Sequence, residues 1–341
     1  MNGLPWKRRP RTFAAIPQHM QAAIATAYGG PEVIRIAEVP TPSPKPDELL
    51  IRIRASAVNA ADWRLRRADP WFVRLVFGLR KPRRAILGVV FAGEVERIGS
   101  SVTKYKVGDR LFGWTGTMRL GGHAEFVALP EKGAFAHLPA ETNFTDAAAI
   151  PFGFGTALHF LRKAVVTKDQ RVLIYGASGS VGSAAVQLAR SMGAEVTGVC
   201  STRNVELVRS LGAAAVLDYT KDDLLAHRDR FDVVFETVGK LPFNDRLALV
   251  KPKGTLISGS EMPAQMLARA FANKRGKQVK MVGGTFEAST AHMEQLAAHW
   301  QHKRIRAVVD STYPLARIAE AHARAESWRK AGNVVITMGH D

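Results

Sequence analysis

The stretch that most constrains this chain runs from Arg171 to Ser201, RVLIYGASGSVGSAAVQLARSMGAEVTGVCS. Arg171 to Tyr175 is a short apolar run that stops abruptly at Gly176, the pattern of a strand buried in a parallel sheet. Gly176, Gly179 and Gly182 follow three residues apart. Val181, Ala184, Ala185, Leu188, Ala189 and Met192 then recur at helical spacing, Gly193 supplies a stop, and Glu195 to Cys200 reads as a second strand.

The unit is strand, turn, helix, strand. Glycines suit it because a side chain would obstruct the tight turn, the approach of the backbone to a pyrophosphate, or the packing of helix on strand. The positive end of the helix would then meet the phosphates with free N–H groups. That makes Gly176, Ser178, Gly179, Ser180, Val181 and Gly182 candidate cofactor-binding residues. The spacing is G-x-x-G-x-x-G, and the end of the second strand carries Cys200, Ser201, Thr202 and Arg203 in place of the acid that binds the ribose hydroxyls of NAD. Hydroxyls and a guanidinium suit a 2′-phosphate, so NADPH is expected, with Ser201 and Arg203 as its contacts. The alternative for Arg203 is a solvated residue at the start of the next helix.

The phrases IYGASGSVG, GVCSTRN and LGAAAVLDY resemble the medium-chain dehydrogenase/reductase superfamily, in its zinc-independent quinone oxidoreductase branch. The resemblance runs from about Met20 to the C-terminus. It implies an α/β protein with a GroES-like β-rich catalytic domain and a Rossmann domain, a doubly wound parallel sheet. The expected boundaries are 20–146 plus 290–341 for the first and 147–289 for the second, after a basic extension over residues 1–19 that holds Lys7, Arg8, Arg9 and Arg11.

The residues agree with that division. From Ala22 to about Ala57 the pattern is β, interrupted by an extended connector with prolines at 40, 42, 44 and 46. Further strands are expected over Leu87–Ile98, Asp109–Gly113 and from Ala124. Beyond the bridge FTDAAAIPFGFGTALHFLRKA, strands and helices alternate, as in a doubly wound sheet. Pro151, Gly153 and Gly155 are expected to break the bridge helix, with Thr156 starting a new one. The last strand is expected within 277–284, and the resemblance makes it an edge through which a homodimer forms.

Composition narrows the partners. A single cysteine, Cys200, excludes an internal disulfide and a cysteine-rich metal site, and fits a cytoplasmic setting. No apolar run is long enough for a transmembrane helix. There are 48 basic against 30 acidic residues, a formal +18, yet no nucleic-acid module accompanies them, so no specific nucleic acid is expected. Much of the charge is local. Between positions 64 and 84 stand Arg64, Arg66, Arg67, Arg74, Arg80, Lys81, Arg83 and Arg84 against Asp69 alone. Residues 69–86 interleave these with Trp71, Phe72, Val73, Leu75, Val76 and Phe77, the pattern either of a peripheral membrane contact or of a lid helix over the cleft.

Zinc-dependent members of the superfamily hold a catalytic metal with a cysteine, a histidine beside a glutamate, and a third ligand. Asn59, Val89 with Val90, and Phe152 stand at those places here, so no zinc is expected. Direct alcohol oxidation then lacks a Lewis acid, whereas a quinone or an α,β-unsaturated carbonyl delocalises the charge that a hydride brings. The expected function is a zinc-independent NADPH-dependent reductase of quinones, enals or enones. The alternatives are a metal-free reductase of a dedicated ketone or acyl intermediate, and an NADPH-binding protein attached to RNA or anionic membrane.

By resemblance Asn59 lies at the nicotinamide end, where its amide would bond a carbonyl or the ribose; a structural amide is the alternative. Asp62 falls at the acidic position of the same motif; the alternative is a local cap or ion pair. Arg64 replaces a tyrosine of several quinone reductases and would orient an oxyanion. His123 would return a proton, or be structural. Thr156 and Asn333 resemble residues near the nicotinamide and Tyr219 one beside the 2′-phosphate, while Val238 and Gly239 end a strand at the ligand edge of the sheet. His159 reads as packing.

Overall fold

The computed structural model describes residues 16–139, 141–259, 278–283, 286 and 288–339. Residues 1–15 of the expected basic extension lie outside them.

The first part is built from short antiparallel strands, as its alternating apolar residues dictate. β1 (His19–Ala25) and β2 (Ile34–Pro40) form a ribbon of their own. β3 (Glu48–Val58) leads into α1 (Ala60–Arg67) and the short α2 (Val73–Phe77), and β4 (Val90–Ile98), β5 (Arg110–Trp114), β6 (Phe126–Pro130) and β7 (Phe135–His137) follow. β4 begins at Val90 rather than at the expected Leu87, because Gly88 turns the chain at φ +95°.

The bridge holds α3 (Phe144–Ala148) and α4 (Pro151–Ala164). The bridge is broken where Pro151 starts α4, as expected, but not at the glycines, since α4 runs without interruption through Gly153 and Gly155. Both glycines serve close packing. A Cβ at Gly153 would lie 2.6 Å from the Ser180 carbonyl oxygen, and one at Gly155 would lie 2.8 Å from the Phe286 ring. Pro151 sits in the first turn, where its missing N–H costs nothing.

The parallel part runs β8 (Arg171–Tyr175), α5 (Ser180–Ser191), β9 (Glu195–Cys200), α6 (Val205–Ser210), β10 (Ala215–Asp218), β11 (Phe231–Glu236), α7 (Phe243–Leu249), β12 (Val250–Ser258) and β13 (Lys280–Val282). These strands form one six-stranded sheet in the order β10-β9-β8-β11-β12-β13, so β13 is an edge, as the sequence indicated. The order reverses direction at β8, the topological switch point where such sheets bind ligands. α8 (Thr290–Gln301) and α9 (Ile318–Glu326) flank the closing strands β14 (Val309–Pro314) and β15 (Asn333–Thr337).

The chain's end returns to its beginning. β15 pairs antiparallel with β3, giving a seven-stranded sheet in the order β14-β15-β3-β4-β5-β7, with β6 also on β3. One apolar core joins the two sheets: Ala55, Ala92 and Phe112 pack in the same cluster as Phe154 and Leu158 of α4 and Val172 and Ile174 of β8. Ala184, Ala185, Leu188 and Ala189 of α5 are fully buried in it, and burying Leu188 alone contributes about 2 kcal/mol. Among the described residues, no helix is long and apolar enough to cross a membrane.

Candidate functional site

A cleft of about 680 Å³ opens where the two sheets meet, and both contribute its walls. At its centre lies the turn after β8. Gly176 has φ +80°, and a Cβ there would lie 2.3 Å from Val238 Cγ2, while one at Gly182 would lie 2.1 Å from the Gly176 carbonyl oxygen. Neither position admits a side chain. Gly179 differs: its φ is ordinary, the nearest atom to a Cβ is 3.4 Å away, and the residue lines the cleft. α5 starts directly after it with no side-chain cap, so the first-turn N–H groups of Ser180, Val181 and Gly182 have no side-chain acceptor.

The turn is fastened from behind. The Gly332 N–H donates to the Ser178 carbonyl (2.7 Å), and the Ser180 hydroxyl donates to Asn333 Oδ1 (2.6 Å). Asn333 Nδ2 donates in turn to the Val308 carbonyl. Asn333 therefore supports the phosphate turn from beneath and does not line the cleft, which corrects its expected place beside the nicotinamide.

On one side of β8, Ser201, Thr202, Arg203 and Tyr219 line the cleft together, as the sequence suggested. Asn204 Nδ2 donates to both Ser178 Oγ (3.0 Å) and Ser201 Oγ (3.2 Å), tying this corner to the glycine turn. Arg203 donates to the Arg329 carbonyl and is exposed. An acid does stand close by: Asp218, at the end of β10, is a buried acceptor for the Thr202 hydroxyl (2.5 Å) and for Thr220. The Thr202 hydroxyl, more than any other neighbour, holds its carboxyl below the usual range, and Asp218 does not line the cleft.

On the other side of β8, the loop after β11 is wrapped around one carboxylate. Glu236 is fully buried and accepts from the N–H groups of Val238 (3.0 Å), Gly239 (2.6 Å) and Lys240 (3.3 Å). Thr237, Val238 and Lys240 thereby face the cleft, while Gly239, at φ +85°, shapes the turn without lining it.

The barrel-side wall comes from α1 and from Phe152. Asn59, 2% exposed, caps α1: its Oδ1 accepts from the Ala61 N–H (2.9 Å), and its own N–H donates to Asp62 Oδ2 (2.9 Å). Its Nδ2 is buried without a partner and belongs to a residue that lines the cleft. Asp62 also accepts from the Val89 N–H (3.1 Å), so it fastens the loop before β4 to α1. Burial pushes its carboxyl up to about 7. Trp63 stands edge-on to Trp328 (5.6 Å between ring centroids), which closes this end.

Six expected site residues are not in the cleft lining: Gly182, Gly239 and Asn333, which shape or fasten the turns, and Arg64, His123 and Thr156. Arg64 follows Ala60 by one helical turn but does not line the cleft; its guanidinium lies 5.4 Å from the Trp63 ring centroid. His123 is fully buried behind β3, 3.5 Å from the Ala57 carbonyl and edge-on to His322. Burial lowers its imidazole to about 4, so it is neutral near pH 7 and holds no proton to give. Thr156 lies a full turn inside α4, since the helix begins at Pro151; it follows Phe152 by four residues on the same face but lies beyond the cleft lining. His159 packs between Phe160 and Phe286, as read.

The sequence reading missed Lys240, Trp328, Arg329 and Lys330, all in the lining. Lys240 Nζ sits 5.3 Å over the Trp328 ring, and Lys330 donates to the Gly332 carbonyl (2.6 Å). Burial lowers the Lys330 ammonium to about 8. No local pattern marks these residues: the pairing of β11 with β8 brings Lys240 to the glycine turn, and the return of β15 to β3 brings Trp328, Arg329 and Lys330.

A pyridine dinucleotide fits this donor set: an uncapped helix N-terminus beside a side-chain-free turn for the pyrophosphate, hydroxyls and cations at one corner, an amide donor at the other. The places that would hold a catalytic zinc do not offer ligands. Val89 and Val90 are buried, and Phe152 stacks on Trp114 at 5.9 Å. Among the described residues no three of His, Cys, Asp and Glu come together as a metal site.

Comparison with known proteins agrees on kinship. Residues 45–140 match the model of the alcohol dehydrogenase GroES-like domain, and residues 211–336 that of the zinc-binding dehydrogenase domain. The chain is 30% identical to the 2-methylene-furan-3-one reductase of Solanum lycopersicum over 338 residues, 95% of this chain and 81% of that protein. It is 28% identical to the chloroplastic NADPH-dependent alkenal/one oxidoreductase of Arabidopsis thaliana over 334 residues, again 95% and 81%. The solved quinone oxidoreductase of Coxiella burnetii superposes with a TM-score of 0.86 at 26% identity, over 94% of this chain and 99% of that one. With its GroES-like sheet, its glycine turn at the switch point and these relatives, the chain is an oxidoreductase of the medium-chain dehydrogenase/reductase superfamily, in the quinone oxidoreductase-like branch.

Proposed function

We propose that this protein reduces quinones and α,β-unsaturated carbonyl compounds with NADPH and without zinc. The observation that carries the reading is the unpartnered, buried Nδ2 of Asn59 at the wall of the same cleft that holds the glycine turn and Arg203. NADPH, when bound, supplies the hydride; the rest is orientation and shielding by the chain.

Ser180, Val181 and Gly182 offer N–H groups to the pyrophosphate, and Gly179 lets it approach. Ser201, Arg203 and Tyr219 receive the 2′-phosphate, with Lys240, Arg329 and Lys330 adding positive potential. Ala60, Trp63 and Phe152 form an apolar wall that takes a conjugated acceptor. Asn59 Nδ2 donates to the acceptor's carbonyl oxygen, where negative charge gathers on reduction, and the capping box holds that amide in place. Asn59, Ala60, Trp63 and Phe152 present no acid, so water returns the proton. Zinc independence rests on the valines and phenylalanine at the ligand places. We read the chain as two domains divided near 146 and 290, since the parallel sheet runs from β8 to β13 and β15 returns to β3.

The test is oxidation of NADPH and of NADH by purified, metal-analysed protein against quinones, enals, enones and simple aldehydes. Turnover with NADPH on conjugated acceptors, unaffected by a chelator, is the expected result. Turnover limited to simple aldehydes, or lost with the chelator, would overturn the reading.

A further inference from the structure

We propose that the segment from Trp71 to Arg84 docks this protein on an anionic lipid bilayer. α2 turns Val73 and Phe77 inward, against a cluster that includes Leu65, Leu87, Val89 and Trp114. Its opposite face carries Phe72, Leu75 and Val76, at positions i, i+3 and i+4, flanked by Trp71 and Leu79. These five are 38%, 61%, 52%, 70% and 67% exposed in that order. Single exposed apolar residues are ordinary, but five within nine positions make a patch of the kind that meets a partner or a membrane.

The patch is fixed in place. The Tyr28 hydroxyl donates to the Gly78 carbonyl (2.7 Å), and the Arg83 N–H donates to the Phe77 carbonyl (2.7 Å), which turns the chain back on the helix end. That turn sets Arg80, Lys81, Arg83 and Arg84, all exposed, around the apolar residues, with Arg74 on the helix itself and Asp69 the one acid of the segment. The basic end continues into a second cleft of about 480 Å³, walled by Met20, Ile24, Ile86 and Phe126 and rimmed by Arg83 and Arg84. An apolar floor under a guanidinium rim fits an acyl chain below a phosphate headgroup.

Charge selects the occupant. A second copy would bring the same cations and the same formal +18 to the contact, which opposes self-association through this face. A nucleic acid could stack on Trp71 and Phe72 but would leave Leu75, Val76 and Leu79, three of the five patch residues, without a partner, since aliphatic side chains stack on no base. Anionic lipid satisfies both halves, hydrocarbon for the stripe and phosphate for the arginines. The docking does not depend on the proposed reductase activity.

The experiment is sedimentation of the full chain with vesicles of phosphatidylcholine alone and of phosphatidylcholine mixed with phosphatidylglycerol. The expected result is binding to the mixed vesicles that added salt weakens, and binding to phosphatidylcholine at least roughly tenfold weaker. Reversing Arg80, Lys81, Arg83 and Arg84 to glutamate should abolish it, each cation being worth roughly fivefold in partition. The triple substitution Trp71→Ser, Leu75→Ser and Leu79→Ser should abolish it too, with NADPH affinity kept as the measure of fold. Should the triple variant fail to fold, Trp71→Ser and Leu79→Ser singly are expected to weaken binding severalfold. Three results would overturn the proposal: no binding to the mixed vesicles, serine variants that bind as well as the parent, or serine variants that shift the oligomeric state without vesicles.

Discussion

Two strand-to-helix turns open on the same cleft and are built on opposite principles. After β8 the chain enters α5 through Gly176 and Gly179, and no side chain caps the helix. After β3 it enters α1 through Asn59, and the helix is capped twice, by Asn59 on the Ala61 N–H and by Asp62 on the Asn59 N–H. The first turn leaves its amide donors to an outside anion. The second satisfies them from within and turns one neutral amide outward. One helix N-terminus is therefore left open and the other is capped, although both face the cleft; on the proposed reading that decides which of them takes an anion.

The largest effect should come from the glycine turn, where substitution separates folding from binding. Gly182→Ala places a methyl 2.1 Å from the Gly176 carbonyl oxygen, a backbone atom with nowhere to go, and should cost about 3 kcal/mol or more. Gly179→Ala meets nothing closer than 3.4 Å and should leave the melting temperature nearly unchanged while weakening cofactor affinity about tenfold. Thermal melts with and without NADPH distinguish them. Equal loss of stability in the two would break the assignment of Gly179 to ligand approach.

At the asparagine turn the matching experiment is Asn59→Asp, which keeps the capping oxygen but replaces the outward donor with an acceptor. Turnover of a conjugated acceptor should fall roughly a hundredfold, in the range found when one donor to a developing oxyanion is lost. NADPH affinity should stay within about threefold, since the pyrophosphate contacts belong to the other turn. A variant with unchanged turnover would show the amide to be structural only.

The asparagine turn also has buried ionisable groups behind it, and their signs oppose. Burial lowers the imidazole of His123 to about 4, and that of His322, first by burial and then by the charge of His123, well below the ordinary value. Below pH 6.5 the unfolded chain takes up protons that these two residues refuse in the fold, so stability falls as the pH falls. Asp62, raised to about 7 by burial, works the other way: the fold keeps its proton where the unfolded chain has lost it, so stability rises as the pH falls from about 7. Two histidines outweigh one carboxyl, and denaturant melts should show a loss of about 2 kcal/mol between about pH 6.5 and 5. In the double variant His123→Leu, His322→Leu the slope should flatten, because burial also lowers His159, His292 and His299 and these still oppose Asp62; an unchanged slope would place the acid sensitivity elsewhere.

The same contrast explains what the sequence disclosed. The β8 turn is local: strand, glycines, helix and second strand fall within Arg171 to Cys200, and period and glycine spacing sufficed to read them. The wall opposite is assembled from Asn59, Phe152, Lys240 and Trp328, which share no pattern. Asn59 was found through the family motif, whereas Lys240 depends on β11 pairing with β8, and Arg329 and Lys330 on β15 returning to pair with β3. The misplaced candidates have equally physical causes. His123 is buried, Arg64 shares a helix face with Ala60 but lies beyond the lining, and Thr156 was set at a helix start because Gly153 and Gly155 read as breakers rather than as close-packing points.

The smallest expected effect tests whether the adenosine corner chooses the cofactor. Arg203 lines the cleft with Ser201 and Tyr219, and Asp218 is occupied by Thr202 and Thr220. If Arg203 meets the 2′-phosphate, Arg203→Ala should raise the dissociation constant of NADPH about tenfold, the loss of one exposed charge-assisted contact, and leave that of NADH unchanged. Thr202→Ala should act less strongly and differently. It frees the Asp218 carboxylate to face the corner, and so should favour NADH slightly over NADPH. Titration of both variants by reduced-nicotinamide fluorescence reads the two ratios. Equal weakening of both cofactors by Arg203→Ala would mean that the arginine serves only to hold the Arg329 carbonyl, and discrimination would then fall to Lys240, Arg329 and Lys330 on the wall the sequence did not show.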